Sequence, residues 1–261
     1  MKPKKSLGQN FLTNKKAIFE IVKAGDIEER DTILEIGPGK GALTEELLKS
    51  SAKKIIAIEK DKKLIPFLTE KFIEEIKTSR LILIEGDILD FEIEKLFKKD
   101  SYKLIANIPY YITGMIIEKF LSATKKPEKL VLLVQKEVAE RIVARDKKES
   151  ILSLAVKFYG NPKIIYKVSA GSFFPKPKVD SAVLKIETDN NVVFKKEFEE
   201  RYFKLIKKSF SHKRKVMLNN LKKEYSEQDW DKIFEKLGLD KKVRAEDLEI
   251  ESFLNITKEL I

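Results

Sequence analysis

The sequence lacks the residues on which several kinds of catalysis depend. It contains no cysteine and a single histidine, His212. Disulfides, thiolate nucleophiles and cysteine-bound zinc are therefore excluded. His212 lies within the segment Ser-Phe-Ser-His-Lys-Arg-Lys, where neighbouring positive charges disfavour an imidazolium. We therefore expect no metal site, and a reaction that needs neither a thiol nor a histidine base.

Long apolar runs are also absent. The longest, such as residues 130–134 and 81–84, fall far below the roughly 20 residues that span a bilayer. Gln9 and Asn10 interrupt the basic amino terminus before an apolar signal-peptide core could form. Hydrophobic residues still make up 43% of the chain, which is enough for a folded core. We therefore expect a soluble, cytoplasmic protein without a membrane partner.

Positive charge is in excess and unevenly distributed. The 261 residues include 53 Lys and Arg against 42 Asp and Glu, a net charge of +11. Nine basic residues and no acidic one lie between Arg201 and Lys223, and the first 16 residues carry five lysines and no acid. Such clusters suit a nucleic-acid backbone. A solvated, lysine-rich surface explains them equally well, so charge alone leaves the partner open.

The apolar pattern predicts an α/β fold. Five short apolar runs alternate with amphipathic helical segments; they cover residues 31–37, 53–59, 80–85, 102–106 and 129–135. This alternation is typical of a parallel sheet covered on both faces. Two later runs, 163–168 and 181–187, are joined by a loop too short for a crossover helix, which predicts an antiparallel hairpin added to the sheet. We predict a Rossmann-like α/β domain over residues 1–190 and a small all-helical domain over residues 191–261.

A glycine-rich loop follows the first predicted strand. Gly37, Gly39 and Gly41 would let a cofactor approach the backbone at the start of a helix, whose free N–H groups attract negative charge. Glu59 ends the second strand, where a carboxylate can accept hydrogen bonds from ribose hydroxyls. The pattern fits a nicotinamide dinucleotide, S-adenosylmethionine or a purely structural turn. Asp87, after the third strand, could accept a hydrogen bond from an adenine amino group or simply cap a turn.

The tetrapeptide Asn107-Ile108-Pro109-Tyr110 suggests methyl transfer to adenine. The adenine amine is a poor nucleophile because its lone pair is delocalised into the ring. The Asn107 side-chain oxygen and a backbone carbonyl held by the following proline could accept both amino hydrogens and so localise that pair. Tyr110 could stack on the base. An isolated Asn-x-Pro turn remains the alternative.

A set of motifs resembles those of the rRNA adenine N6-methyltransferases, in the same order along the chain. They are residues 6–12 (Ser-Leu-Gly-Gln-Asn-Phe-Leu), 35–44 (Glu-Ile-Gly-Pro-Gly-Lys-Gly-Ala-Leu-Thr), 107–110, 135–139 (Gln-Lys-Glu-Val-Ala) and 173–181 (Phe-Phe-Pro-Lys-Pro-Lys-Val-Asp-Ser), with further similarity at 209–215 and 244–248. The combination is most similar to the small-subunit (16S) rRNA adenine N6,N6-dimethyltransferase family, whose loss is associated with kasugamycin resistance. Several positions depart from the family pattern, in which Ile-Ser and then a proline also follow the Asn-x-Pro-Tyr motif and one small polar residue. Tyr111 lies where many relatives have a small polar residue, Gly114 where Thr or Ser is usual, and His212 where Gln is common.

The resemblance implies a seven-stranded class I methyltransferase domain and a helical rRNA-binding domain. It also implies that the protein uses S-adenosylmethionine as methyl donor, without a metal. The expected reaction is dimethylation of N6 of two adjacent adenosines in the 3′-terminal hairpin loop of small-subunit rRNA. A role in maturation, through binding of an immature 30S subunit by a monomer, is implied as well. Methylation of a large-subunit adenosine, and use of the fold for binding alone, remain alternatives.

Site residues are likewise implied by the resemblance. Those expected to bind the cofactor are Gln9, Asn10, Leu12, Gly37, Glu59, Asp87 and Asn107; those expected to act on the target base are Asn107, Pro109, Tyr110 and Phe173. Tyr110 and Phe173 would sandwich the base. We favour Phe173 over Phe174 from its register with the motif, although packing beneath the proline-rich loop would also explain a phenylalanine there.

Overall fold

The chain folds into two compact units. A computed structural model describes residues 3–97, 101–189, 194–212 and 215–260. The first unit comprises Met1–Ala139 and Asn161–Asp189, and the second comprises Glu140–Gly160 and Asn190–Ile261. Among the described helices, none combines the length and hydropathy needed to cross a membrane.

The first unit is built on a mixed sheet of seven strands. The described strands of the chain are β1 (Phe11–Leu12), β2 (Thr32–Ile36), β3 (Lys54–Glu59), β4 (Leu81–Glu85), β5 (Lys103–Asn107), β6 (Lys129–Gln135), β7 (Gly160–Val168), β8 (Phe173–Phe174) and β9 (Ser181–Thr188). The large sheet has the order β4-β3-β2-β5-β6-β9-β7. Strands β2 to β6 are parallel to one another, and β9 is antiparallel to β6. The predicted Rossmann-like α/β class is confirmed.

Continuous burial explains why the central strands read as unbroken apolar runs. Every residue of β6 from Leu130 to Val134 is buried, as are Ile33 to Ile36 in β2. Side chains of a strand alternate between the two faces, so both faces of the sheet are covered.

The described helices are α1 (Lys15–Ala24), α2 (Ala42–Lys49), α3 (Ile65–Lys71), α4 (Ile73–Lys77), α5 (Ile93–Phe97), α6 (Thr113–Leu121), α7 (Lys136–Ile142), α8 (Ile151–Tyr159), α9 (Lys196–Ser209), α10 (Met217–Glu224), α11 (Trp230–Lys236) and α12 (Ile250–Glu259).

Strands β7 and β9, the pair predicted to form a hairpin, are neighbours in the large sheet. Strand β9 lies between β6 and β7, so the earlier strand of the pair occupies the edge. Seven residue pairs, from Lys129 opposite Glu187 to Gln135 opposite Ser181, join β6 to β9. The apolar residues of β9 therefore lie inside the sheet and not at its edge, and Ala182 to Leu184 are fully buried.

A second sheet of only two strands links distant parts of the first unit. Strand β1 pairs antiparallel with β8, with Phe11 opposite Phe174 and Leu12 opposite Phe173. The Thr13 backbone N–H and hydroxyl both bond to the Ser172 carbonyl, at 2.9 and 3.0 Å. Neither strand is long enough to be recognised from sequence periodicity. The pairing fixes the segment before α1 against the proline-rich loop.

The second unit is helical, as predicted, but it starts earlier in the chain than expected. The prediction assigned residues 140–160 to the α/β domain, whereas they belong to the helical unit. The reason is the apolar face of α8, whose Leu154 and Phe158 are buried in the core of that unit. The Tyr202 ring stacks on Phe158 at 4.4 Å, and its hydroxyl donates to the Leu154 carbonyl at 3.1 Å. The first unit ends at Asp189.

Candidate active site

A pocket of about 660 Å³ opens in the first unit at the carboxyl ends of β2, β3, β4 and β5. This is the edge of a parallel sheet where open α/β folds bind their ligands. The structure brings together all the predicted cofactor residues here: Gln9, Asn10, Leu12, Gly37, Glu59, Asp87 and Asn107. Pro109 and Tyr110 line the same pocket, whereas Phe173 does not. The individual roles of these residues stay predictions.

The glycine loop has one residue that leaves room for a ligand. Gly37, Gly39 and Gly41 all have positive φ angles, of 66°, 61° and 76°, which side chains rarely adopt. A Cβ atom at Gly39 would lie 3.1 Å from the Phe11 ring, and one at Gly41 would lie 2.5 Å from the Phe72 ring. At Gly37 a Cβ atom would meet nothing within 4 Å. A side chain at Gly41 would therefore clash with Phe72 and one at Gly39 would press on Phe11, while Gly37 faces open space in the pocket.

Glu59 ends β3 with its carboxylate already held by the backbone. Its Oε2 accepts from the Gly39 N–H at 3.0 Å, and its Oε1 accepts from the Asp61 N–H at 2.7 Å. Burial raises the pKa of Glu59, and these hydrogen bonds oppose the rise only in part. Each oxygen keeps a second lone pair. Glu59 can therefore fix the glycine loop and still accept a hydrogen bond from a ribose hydroxyl.

Asp87 combines the two roles that the sequence left open. Its Oδ1 accepts from the Leu89 N–H at 3.1 Å, which caps the short 3₁₀ turn Ile88–Asp90. Its Oδ2 accepts from the Lys60 ammonium at 2.5 Å. Burial tends to raise the pKa of Asp87, but the hydrogen bonds from Lys60 and Leu89 outweigh it and hold that pKa below its usual range. Asp87 is therefore a pocket-lining carboxylate as well as a cap.

The amino-terminal arm, residues 4–12, is held at the pocket by Asp61, a residue that the sequence analysis did not identify. Asp61 accepts from the Lys4 ammonium at 2.6 Å and from the Gln9 amide at 2.9 Å. Although burial acts against it, these bonds lower the pKa of Asp61. The Gln9 side-chain oxygen accepts from the Lys4 N–H at 2.7 Å. Gln9 thus holds the amino-terminal arm in place. The sequence signal for the role of Asp61 was its position two residues after Glu59.

Asn107 connects this arm to the position expected for the target amine. It ends β5, and its side-chain N–H donates to the Asn10 carbonyl at 3.3 Å. That bond orients the amide so that Oδ1 is left as an acceptor. Tyr110 is anchored beside it, because its hydroxyl lies 2.7 Å from the Ser181 hydroxyl. Burial raises the pKa of Tyr110, which therefore stays neutral at physiological pH.

The structure does not bring Phe173, which was expected to sandwich the target base, into the pocket. The Phe173 side chain is only 5% exposed and belongs to the apolar core of the first unit. Phe174 is 61% exposed and lines the pocket. The cause is strand β8, in which successive side chains point to opposite faces. Pairing with β1 turns Phe173 inwards and leaves Phe174 outside.

A buried acid in the pocket wall, Glu35, was not predicted. Its side chain is 1% exposed, and Oε2 has no hydrogen-bond partner among the described residues. Burial, with the nearby negative charge of Glu59 adding to it, raises the pKa of Glu35 to about 8, while Thr44 opposes the rise only in part. The signal for it was an acid within the otherwise apolar run Thr32–Ile36. The open space at Gly37 and this unpaired oxygen fit S-adenosylmethionine, the expected methyl donor, whose methionine part is polar.

Replacing Glu35 by Gln should flatten the pH dependence of stability. A native carboxyl that keeps its proton until about pH 8 binds more protons than the unfolded chain, so stability falls as pH rises from about 4.5 to 8. From about pH 5.5 to pH 8 we expect wild type to lose up to about 3 kcal/mol more than Glu35→Gln. Urea unfolding at several pH values measures this difference. The exposed Glu29→Gln should follow wild type, and parallel curves for wild type and Glu35→Gln would contradict the assignment.

Comparison with known proteins agrees with the site. The family model described as ribosomal RNA adenine dimethylase matches residues 1–261. Ribosomal RNA small subunit methyltransferase A of Dehalococcoides mccartyi (strain CBDB1) is 45% identical over 222 residues, which cover 85% of this chain and 75% of that protein. The crystal structure of a dimethyladenosine transferase from Plasmodium falciparum superposes with a TM-score of 0.81 at 29% identity, covering 96% of this chain and 97% of that chain.

The 23S rRNA methyltransferase ErmE also has a TM-score of 0.81, with 24% identity and coverage of 96% of this chain and 99% of its own. At that identity the likeness shows the fold alone. The resemblance of the motifs, the enzyme class and the methyl donor are confirmed by the family match. The chain belongs to the ribosomal RNA adenine dimethylase family of S-adenosylmethionine-dependent methyltransferases.

Proposed function

We propose that this enzyme dimethylates N6 of two adjacent adenosines in the 3′-terminal hairpin loop of small-subunit (16S) rRNA. One observation supports it above others: Asn107, Pro109 and Tyr110 line the same pocket as Gly37, Glu59 and Asp87. A methyl donor and an adenine can therefore meet in one site. The choice of the small subunit rests on the 45% identity to a protein named small subunit methyltransferase A.

The chain's own residues would achieve methyl transfer by positioning. When bound, S-adenosylmethionine supplies an electrophilic methyl group. We expect Gly37, Glu59 and Asp87 to hold the S-adenosylmethionine molecule. Asn107 Oδ1 and the Ile108 carbonyl would accept the two amino hydrogens and so concentrate the lone pair on N6. Tyr110, fixed by Ser181, would hold the plane of the base. Alkylation makes the amine acidic, so its proton can leave to solvent and no general base is required.

We further propose that the second unit contacts the rRNA. Its helices α9 and α10 carry exposed Lys207 and Lys223, which form no ion pair with described residues. Other basic residues of the cluster are neutralised locally, since Lys208 pairs with Glu224 and Lys222 with Asp231. Residues 213 and 214 of the basic motif lie outside the described part of the chain. We expect the protein to act as a monomer on an immature 30S subunit in the cytoplasm, with a role in its maturation.

A methylation assay with two substrates tests the proposed function. Purified enzyme is incubated with labelled S-adenosylmethionine and either unmethylated 30S particles or large-subunit rRNA. We expect label only in the 30S sample, at two adjacent adenosines identified by nuclease mapping. Label in the large-subunit rRNA would identify the sister activity instead, and binding without any label would support a binding-only role.

A further inference from the structure

Two aromatic side chains at the pocket remain unused by the mechanism. Among the pocket-lining residues, Tyr111 is 57% exposed and Phe174 is 61% exposed. Large apolar side chains at a pocket, left in contact with water, commonly mark a surface that a ligand covers. Tyr110, by contrast, is partly buried and held by Ser181. The two exposed rings therefore differ from the residue expected to hold the target base.

The backbone supports both rings and keeps them from folding into the core. A Cβ atom at Gly8 would lie 3.2 Å from the Tyr111 ring, so this ring rests directly against the backbone of the amino-terminal arm. Phe174 is held by the pairing of β8 with β1, which directs Phe173 to the core and Phe174 outwards. Neither ring needs a large rearrangement before it can contact a ligand.

Unpaired positive charge lies next to Phe174. Lys176 and Lys178 follow it in the proline-rich loop, are exposed, and form no ion pair with any described residue. Lys60, which is 53% exposed and pairs with Asp87, lines the same pocket as Tyr111. Aromatic faces combined with cations are the chemistry that binds single-stranded nucleic acid, by stacking on bases and neutralising phosphates.

We propose that Tyr111 and Phe174 form a stacking rim that holds an unpaired RNA base next to the target adenosine. This inference rests on the proposed function, in which two adjacent adenosines are methylated. While one of them occupies the pocket beside Asn107, its neighbour must lie just outside. The rim would hold that neighbour while Lys176 and Lys178 contact its phosphates.

Alanine substitution of each ring tests the rim. The substrate is an RNA hairpin with two adjacent loop adenosines, assayed with Tyr111→Ala, Phe174→Ala and the double variant. We expect KM for the RNA to rise about 10-fold in each single variant and further in the double one, because a lost base stack weakens binding by roughly that factor. The value of kcat and the affinity for S-adenosylmethionine should stay within about 2-fold of wild type. Tyr111→Phe keeps the ring and should restore wild-type KM.

Phe19 offers a matched control on the same unit. It is 59% exposed and lies on α1 outside the pocket lining, so Phe19→Ala removes a similar exposed ring without affecting the rim. Its KM should equal that of wild type. A second readout places 2-aminopurine at the neighbouring position of the hairpin, where stacking on the rim quenches fluorescence. We expect quenching with wild type and its loss with the double variant.

Each outcome decides between distinct conclusions. If wild type methylates the hairpin but both alanine variants keep its KM and its quenching, the rim proposal is wrong and the proposed function stands. A fall in kcat at unchanged KM would also overturn the rim, since the rings would then act on the reacting base. If wild type fails to methylate small-subunit RNA at all, the proposed function fails, and the rim with it.

Discussion

Asn107→Ala should lower the rate of methylation by about 100- to 1,000-fold, the usual effect of removing one preorganised polar contact to a reacting group. The variant loses the Oδ1 acceptor for the target amine, so the lone pair of N6 remains delocalised in the ring. Single-turnover transfer of a labelled methyl group, with enzyme in excess over RNA, measures the chemical step. Gly37, Glu59 and Asp87 are untouched, so S-adenosylmethionine should lose only the affinity that its contact with Asn107 contributes, less than about 10-fold.

The matched control is Asn255→Ala, an exposed asparagine on α12 whose side-chain oxygen accepts from Lys258. It should methylate at the wild-type rate. Asn107 also donates to the Asn10 carbonyl, so loss of activity through a displaced amino-terminal arm must be distinguished from loss of the acceptor. A displaced arm would weaken binding of the methyl donor, which calorimetry detects. Wild-type turnover by Asn107→Ala would show that another group activates the amine.

Lys103→Met should destabilise the first unit by about 3–5 kcal/mol, the usual effect of breaking a buried ion pair. The Lys103 ammonium lies 2.6 Å from Asp31 Oδ2 and 2.6 Å from the Asp26 carbonyl, and the Lys103 and Asp31 side chains are only 7% and 6% exposed. Without the lysine, Asp31 keeps its bond from the Glu28 N–H but loses its counter-charge. Hydrogen exchange of β2 and β5 amides under urea titration measures the change within this unit.

The double variant Lys103→Met/Asp31→Leu separates loss of the pair from loss of packing. Removing both charges together should recover much of the stability, because no charge then remains buried without a partner. The exposed pair of Lys49 and Glu46 provides the control, and Lys49→Met should leave the unfolding curve unchanged. A small effect of Lys103→Met alone would mean that Asp31 is accommodated by protonation or by water.

Much of the site could be predicted because strand ends are visible in a sequence. Glu59, Asp87 and Asn107 each follow an apolar run, and parallel strands bring their carboxyl ends to one edge of a sheet. Local order along the chain is therefore enough to place them in a common pocket. Asp61 and Glu35 were missed because their importance lies in contacts. Asp61 binds Lys4 and Gln9, which are more than 50 positions away, and Glu35 is notable for its burial.

The choice between Phe173 and Phe174 shows where sequence patterns fail. Motif register favoured Phe173, yet a two-residue strand alternates its side chains, and only its pairing with Phe11 and Leu12 decides which one enters the core. A shift of one residue in that pairing would exchange the two rings. The assignment of residues 140–160 to the helical unit has a similar cause. The apolar stripe of α8 could cover any core, and its actual partners, such as Tyr202, lie far along the chain.

The sequence by itself determined the fold class through its periodicity, and the spacing of the apolar runs placed the polar residues at the strand ends. The family and the methyl donor followed from the resemblance of its ordered motifs to a known family. Tertiary structure alone decided which phenylalanine faces the pocket, which acid secures the amino-terminal arm, and that Glu35 is enclosed in the pocket wall. Each of these depends on contacts between segments distant in the chain. Such contacts arise from packing and strand register, which local residue preferences do not specify.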